Sequence, residues 1–450
     1  MVVSLDRPWG EFTPDQKLRH RLDTWLRPDV EFASTDAEET YKARVRRLTD
    51  AILLEKTPDR VPVPLLITEL YPLARAGLTP YDGMYDFERA AKACVDFNLD
   101  LQPDSMVSPR VATTPGRVLD LLDYRLYSWP GAGISREASF QYNESEWMAA
   151  DEYDRLIEDP TDFILRRYLP RVAGAFAGLG ELGSVFDPFS ITQITGFVET
   201  FARPGVVDAL QRLMAAGREA AAWRSRLGAI VEQLQGLGFP PFTGPQIRAP
   251  FDLLGDYLRG TRGVSLDLYR QPEKVVAACE RLAPVLVRWT LEKTTPGTLP
   301  CLFGPLHKGD DAHLSMEQFD TFYWPTLRTV LLALIDEGFI PLLFAEGKMD
   351  SRLERIAADL PKGRTVWLLD RTDMVHAKAT LGRVAALQGN VPLSLLQTAT
   401  PAEVRERCRR LIEDVGPGGG FLLDSGAVIQ QGKEENIRAM IQAARDYGAY

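Results

Sequence analysis

Short runs of apolar and β-branched residues punctuate the chain, and each is followed by a helical pattern. The runs begin at Val61 (VPVPLLI), Ser105 (SMVSP), Ser184 (SVFDPF), Pro300 (PCLFGPL), Ile340 (IPLLFAE), Thr365 (TVWLLD), Val384 (VAALQGNV) and Gly420 (GFLLDSG). This alternation is the signature of parallel strands joined by crossover helices. Eight runs suit an α/β fold closed as a (β/α)8 TIM barrel. The helices are clearest near the end of the chain. Thr400-Pro401-Ala402-Glu403 combines an N-cap hydroxyl, a proline at the first helical position and a capping-box glutamate. Val404, Cys408, Leu411 and Val415 follow at helical spacing, and Ile437, Met440, Ile441 and Ala444 give the last helix one apolar face.

Three stretches exceed a bare barrel. Residues 1–46 are polar and rich in Arg and Glu, which predicts an N-terminal helical extension to a barrel over 47–450. A segment near 111–180, with a hairpin signal at Trp129-Pro130-Gly131, reads as an insertion after the second strand. A second insertion near 192–240 is a long Ala-, Arg- and Glu-rich helical stretch. These additions account for 450 residues where a simple barrel needs roughly 250.

Composition narrows the classes. With 45% hydrophobic and 25% charged residues the chain has the material for a large core. A net charge of -10 argues against a nucleic-acid surface, which needs clustered Lys and Arg. No window reaches the roughly 20 apolar residues of a membrane span, and MVVSLDRPWGEFTPDQK has no signal-like apolar segment, so a cytoplasmic location is expected. Cys94, Cys279, Cys301 and Cys408 are far apart with no CxxC pair, so they read as reduced, buried thiols.

Several motifs share one family's order and approximate spacing. They are Pro250-Phe251-Asp252-Leu253-Leu254-Gly255-Asp256-Tyr257-Leu258-Arg259-Gly260, Gln388-Gly389-Asn390-Val391-Pro392, Thr400-Pro401-Ala402-Glu403-Val404, Gly418-Gly419-Gly420-Phe421 and Glu435-Asn436-Ile437. On these the chain from about residue 50 to 450 resembles the uroporphyrinogen decarboxylase superfamily. The resemblance implies a barrel and either the haem-pathway decarboxylase or a cobalamin- or thiol-linked methyltransferase. The decarboxylase carries an arginine-rich first loop, whereas Leu65-Leu66-Ile67-Thr68-Glu69-Leu70-Tyr71 has no arginine before Arg75. Its second-strand aspartate is missing from Ser108-Pro109-Arg110, and Ser425-Gly426-Ala427 replaces its late Gly-His-Gly. The methyltransferases' His-x-Cys-Gly aligns with Phe344-Ala345-Glu346-Gly347, and no cysteine stands near Gly389-Asn390-Val391. A metal held here would therefore use oxygen and imidazole rather than sulfur donors. In outline the chain is more similar to the methyltransferase-like branch.

Candidate chemistry gathers at the predicted strand ends, where barrels carry their active sites. Between Gly304 and His313 stand two of the four histidines beside Asp310 and Asp311. His307 is expected as a metal ligand or general acid/base, with a loop-bonded histidine as the alternative; His313 lies farther from the strand. Glu346 closes the Ile340 run and could coordinate a hard metal or move a proton. Asp370 and Asp373 flank Arg371, as ligands or as a surface ion pair. The expected catalytic set is His307, Glu346 and Asp252, and the expected zinc set is His307, Glu346 and Asp370. Tyr71, Arg110, Gln246, Arg248 and Asn390 are expected to bind substrate. Arg248 offers a planar fork to a carboxylate, or bridges Asp252 instead. Asn390 donates to a substrate oxygen or makes a turn. Phe186 and Trp367 supply aromatic walls or core.

The reading that follows is methyl transfer from a small methylated substrate, such as a methoxylated aromatic, to a corrinoid protein or a thiol. A decarboxylase or lyase using Arg248 or Arg110 to hold a small acid is the alternative enzyme, and a non-catalytic binding barrel is the alternative outside enzymes. Neither a nucleic acid nor a membrane is an expected partner, and a homodimer fits the expectation.

Overall fold

The computed structural model describes residues 7–182 and 189–450. Its regular sheet has five parallel strands in chain order: β1 (Cys301–Leu306), β2 (Ile340–Ala345), β3 (Val366–Leu369), β4 (Ala386–Val391) and β5 (Phe421–Ser425). Each hydrogen-bonds to the next, as strands linked by short crossover helices do.

Side-chain alternation divides the core in two. Ile340, Leu342, Val366, Leu368, Ala386 and Leu422 pack together with Leu18 and Trp25 of α1 (Pro14–Leu26) and with Tyr41 and Leu48 of α2 (Thr35–Leu53). Leu343, Trp367, Leu387, Phe421 and Leu423 belong to the other core, beneath the crossover helices. The parity of the first set, followed along each strand, puts Asn390 and Asp424 on the same face and brings Glu346 and Asp370 to it just past β2 and β3. Helices α1 and α2 are the predicted N-terminal helices, and α2 runs on past residue 46 without a break.

The sheet continues on both flanks through runs that form no regular ladder. Leu423 N donates to Pro62 O at 2.9 Å, Asp104 N to Val63 O at 2.9 Å and Met106 N to Pro240 O at 2.7 Å. Gly244 N and Ile247 N donate to Cys301 O and Phe303 O at 2.8 and 2.9 Å. The Val61 and Ser105 runs thus lie beside the sheet as predicted, but Pro62 and Pro64 have no N–H to contribute to a ladder. The run that meets β1 is Phe239-Pro240-Pro241-Phe242-Thr243-Gly244-Pro245-Gln246-Ile247, which the strand pattern did not single out because its prolines hide it. The predicted Ser184 strand and Phe186 fall outside the described residues, apart from Phe189.

In the first insertion, Tyr127–Pro130 pairs antiparallel with Gln141–Tyr142, so the hairpin loop is longer than the Trp129-Pro130-Gly131 signal implied. The second contains α3 (Pro204–Gly236), 33 residues long. Helix α4 (Pro401–Val415) starts on the predicted Thr400/Glu403 capping box, and α5 (Glu434–Tyr447) buries Ile437, Met440, Ile441 and Ala444. Among the described residues no helix is long and apolar enough to cross a membrane.

Candidate active site at the strand ends

His307 and Lys308 are the first residues after β1. Their backbone amides donate to the two oxygens of Asp252, each at 3.0 Å, and the Tyr323 hydroxyl donates to the same carboxylate at 2.8 Å. Asp252 is 4% exposed. Three donors occupy it, so the residue expected to be catalytic clamps the loop that carries His307. Burial, then the Asp256 charge, pushes its pKa up.

Asp256 lies on a wide π turn, Leu253–Leu258, directly after Asp252. Such turns recur at functional sites. Asp256 Oδ2 is 2.6 Å from His307 Nδ1, and its Oδ1 is 3.0 Å from Lys308 Nζ. Burial opposes the Asp256 anion, but His307 and Lys308 outweigh it and hold its pKa below the usual range. Burial likewise opposes the His307 cation, yet Asp256, helped by Asp252 and Glu346, pushes the imidazole up to about 9. At neutral pH His307 is an imidazolium with Nδ1–H committed to Asp256.

Glu346 follows β2, and its Oε1 is 3.8 Å from His307 Nε2. Burial, with Asp370 and Asp256 adding to it, raises the Glu346 pKa while His307 lowers it. Glu69, which sequence reasoning passed over, is pushed up to about 7 by burial and then by the Glu346 charge. Its loop is tied to β5, because Asp424 Oδ2 accepts from Leu66 N at 3.0 Å and from Gln388 Nε2 at 2.8 Å. The arrangement is a chain of titratable groups: an imidazolium facing Glu346, and Glu69 within electrostatic reach of Glu346, with burial favouring protonation of both carboxyls.

The zinc set does not fit. His307 Nδ1 is taken up by Asp256 at 2.6 Å, and Asp370 turns its Oδ2 to Gly347 N at 3.1 Å and Arg371 Nε at 3.4 Å. The four cysteines are buried, and burial pushes their thiols up, Cys94 and Cys408 to about 12. Among the described residues no three His, Cys, Asp or Glu side chains are grouped to hold an ion.

The other expected residues are placed as follows. Asn390 spends both amide hydrogens on Asp370 O and Thr372 O, at 3.0 and 2.9 Å, and its oxygen accepts from Arg407, so it ties loops together. Tyr71 is buried edge-on against Phe97 at 5.9 Å, as core. Trp367 is fully buried under the helices. Asp373 caps the helix Met374–Ala379, and His313 is bonded to Asp310 at 2.5 Å. Gln246 is exposed and pairs with Phe303 through its backbone. Arg248 does not bridge Asp252; it bonds the Tyr257 hydroxyl at 2.9 Å, while Arg110 stands exposed in the loop after the second run. Asp256 stands in the motif ahead of His307, four residues past Asp252, but was not singled out, because its approach to His307 comes through the π turn.

The comparisons agree with the motifs. The uroporphyrinogen decarboxylase (URO-D) family model matches residues 241–447. A uroporphyrinogen decarboxylase of Actinobacillus succinogenes is 26% identical over 183 residues, 40% of this chain and 50% of that one. That of Cellvibrio japonicus is 25% identical over 212 residues, 46% and 58% of the two chains. The chain thus spans about half the length of the curated relatives it matches. A methyltransferase from Methanosarcina mazei aligns over 90% of this chain and 98% of its own, with a TM-score of 0.56 and 12% identity, a likeness of fold alone. Over residues 241–447 the chain is thus similar to the uroporphyrinogen decarboxylase (URO-D) family, in agreement with the motifs from Pro250 onward.

Proposed function

We propose that the chain is an eight-stranded barrel enzyme that removes a methyl group from a small methoxylated aromatic with acid assistance. The observation that carries this is His307, held at Nδ1 by Asp256 with Nε2 stopping 3.8 Å from Glu346. In the step, the O–CH3 bond breaks and the methyl passes to an external nucleophile, a reduced corrinoid on a partner protein or a thiolate. The bonding pair stays on the aryl oxygen, which takes the proton from His307 Nε2. A phenoxide leaves poorly without that proton, and an acid of pKa about 9 still carries it at neutral pH. Glu346 and Glu69 accept and return protons so that His307 is recharged after turnover. Closure of that barrel is supported by the one or two backbone hydrogen bonds that join each of the Val61, Ser105 and Phe239 runs to its neighbours and to the edges of the five-strand sheet.

The test is purified protein with 2-methoxyphenol and cob(I)alamin, reading catechol and methylcobalamin together. Equal amounts of both products support the reading. Absence of both across a panel of aryl methyl ethers overturns it. One observation favours a second reading, decarboxylation of a small acid: Arg248 has no carboxylate within ion-pair distance among the described residues. Release of carbon dioxide from aryl acids, with methyl ethers untouched, would select it.

A further inference from the structure

Tyr257, the residue after Asp256, begins a row of aromatic rings. Tyr142 lies 5.9 Å from Tyr257, Tyr127 5.3 Å from Tyr142 and Tyr124 6.2 Å from Tyr127, between ring centroids. The insertion delivers the row, and the Tyr142 hydroxyl donates to Asp256 O, which fixes it beside the acid cluster. All four rings are partly exposed. Arg248 closes the row, its guanidinium 4.6 Å above the Tyr257 ring and bonded to that hydroxyl.

The charges near Arg248 are unbalanced. Lys293, its ammonium 3.1 Å from the centroid of Trp289, has its pKa lowered by burial and then by the charges of Arg248 and Arg110, which together outweigh the opposing charge of Glu292. Among the described residues none of these three cations makes an ion pair with a carboxylate. Cations that outnumber the nearby Glu292 and make no ion pair leave an attractive field for an anion, and a guanidinium fork suits a carboxylate. The tyrosine faces suit a flat ring.

We infer that the substrate is an aromatic carboxylate, its ring against Tyr257 and Tyr142, its acid group on Arg248 in the field of Lys293 and Arg110, and its reacting end toward His307. This rests on the acid-assisted reading above and adds the substrate class to it, but it is tested by binding rather than by turnover.

Titration calorimetry with 4-methoxybenzoate and 4-methoxybenzamide separates the two ideas, since the pair differ only in charge at the acid group. The wild type should bind the acid at least tenfold more tightly, with a preference that shrinks as salt rises. Arg248→Gln should erase the preference, whereas Glu346→Gln should keep it even where turnover is lost. Equal affinity for acid and amide in the wild type, or a preference that salt leaves unchanged, overturns the inference without any variant having to fold. A preference that persists in folded Arg248→Gln overturns it as well. Acid-selective binding without demethylation leaves this inference standing and removes the methyl-transfer reading.

Discussion

His307 Nε2 ends 3.8 Å from Glu346 Oε1, too far for a direct hydrogen bond and near enough for one oxygen atom to bridge them. Replacing His307 with Gln or Glu346 with Gln should therefore each lower kcat by about 100-fold or more, the usual worth of a positioned acid or base. Full activity in either variant would remove the pair from the chemistry.

His307 also supports folding, with a sign that can be checked. Its folded pKa of about 9 lies above the ordinary 6.5, so its contribution is complete below about pH 6.5 and disappears as pH rises through 9. The side chain is 30% exposed, which screens the pair to roughly 1–2 kcal/mol. Denaturation of wild type and His307→Ala should differ by about that much at pH 6 and converge near pH 10. An unchanged difference at both values would contradict the assignment.

The same protonation sets an alkaline limit on activity. The rate constant kcat/KM should fall above about pH 9 as His307 loses its proton. Glu346 is one of the charges that raise the His307 pKa, so Glu346→Gln should shift the limb to lower pH in whatever activity remains. A shift to higher pH would be the wrong sign.

Glu69 acts in the opposite direction on stability. Its pKa rises from 4.5 to about 7, so burying it costs nothing below pH 4.5 and a cost accumulates as pH climbs to about 7. Glu69→Gln should stabilise the protein by on the order of 2 kcal/mol at pH 8 and hardly at all at pH 4.5, read from denaturant midpoints. Destabilisation at pH 8 would mean that the carboxylate has a partner.

Gly347 has φ +82°, and a Cβ there would lie 2.3 Å from Asp310 Oδ2. The Gly347→Ala variant should lose about 2 kcal/mol or more through strain and displacement of a buried aspartate. Because Glu346 is its neighbour, activity should drop as well. Wild-type stability and rate in this variant would show that the turn is free to move.

Uroporphyrinogen should not be converted to coproporphyrinogen. The first loop presents Glu69 where an anionic tetrapyrrole needs cations, and Arg75 is spent on Glu434 and Asp100 at 3.0 and 2.8 Å. Chromatography of the porphyrins after incubation decides this.

Regular repetition is what made parts of the fold legible. β1 to β5 follow the runs at Pro300, Ile340, Thr365, Val384 and Gly420 because each is a short, mostly apolar stretch followed by a helical pattern, with at most one proline inside the strand. Phe239 to Ile247 escaped because three prolines erase the pattern of a strand while leaving carbonyls that still accept hydrogen bonds. The site was half readable. His307 and Glu346 follow strands, so topology alone brought them together. Asp256 and Glu69 owe their roles to a π turn and to burial, neither of which residue spacing encodes. Asn390 and Asp252 sit at the expected strand end and motif but have their polar atoms taken up by the backbone.

The proline-bearing runs divide the site between two kinds of scaffold. His307 and Glu346 stand at the ends of strands knitted residue by residue into their neighbours, whereas Glu69 and Arg248 follow runs held by one or two bonds and by side-chain ties such as Asp424. Shifting a strand in the knitted half breaks many bonds at once, while a run in the other half can move at the expense of few. Mutational drift can therefore shift Glu69 and Arg248 while His307 and Glu346 keep their geometry, so that, under the proposed reading, one scaffold has room to accept new substrates without rebuilding its chemistry.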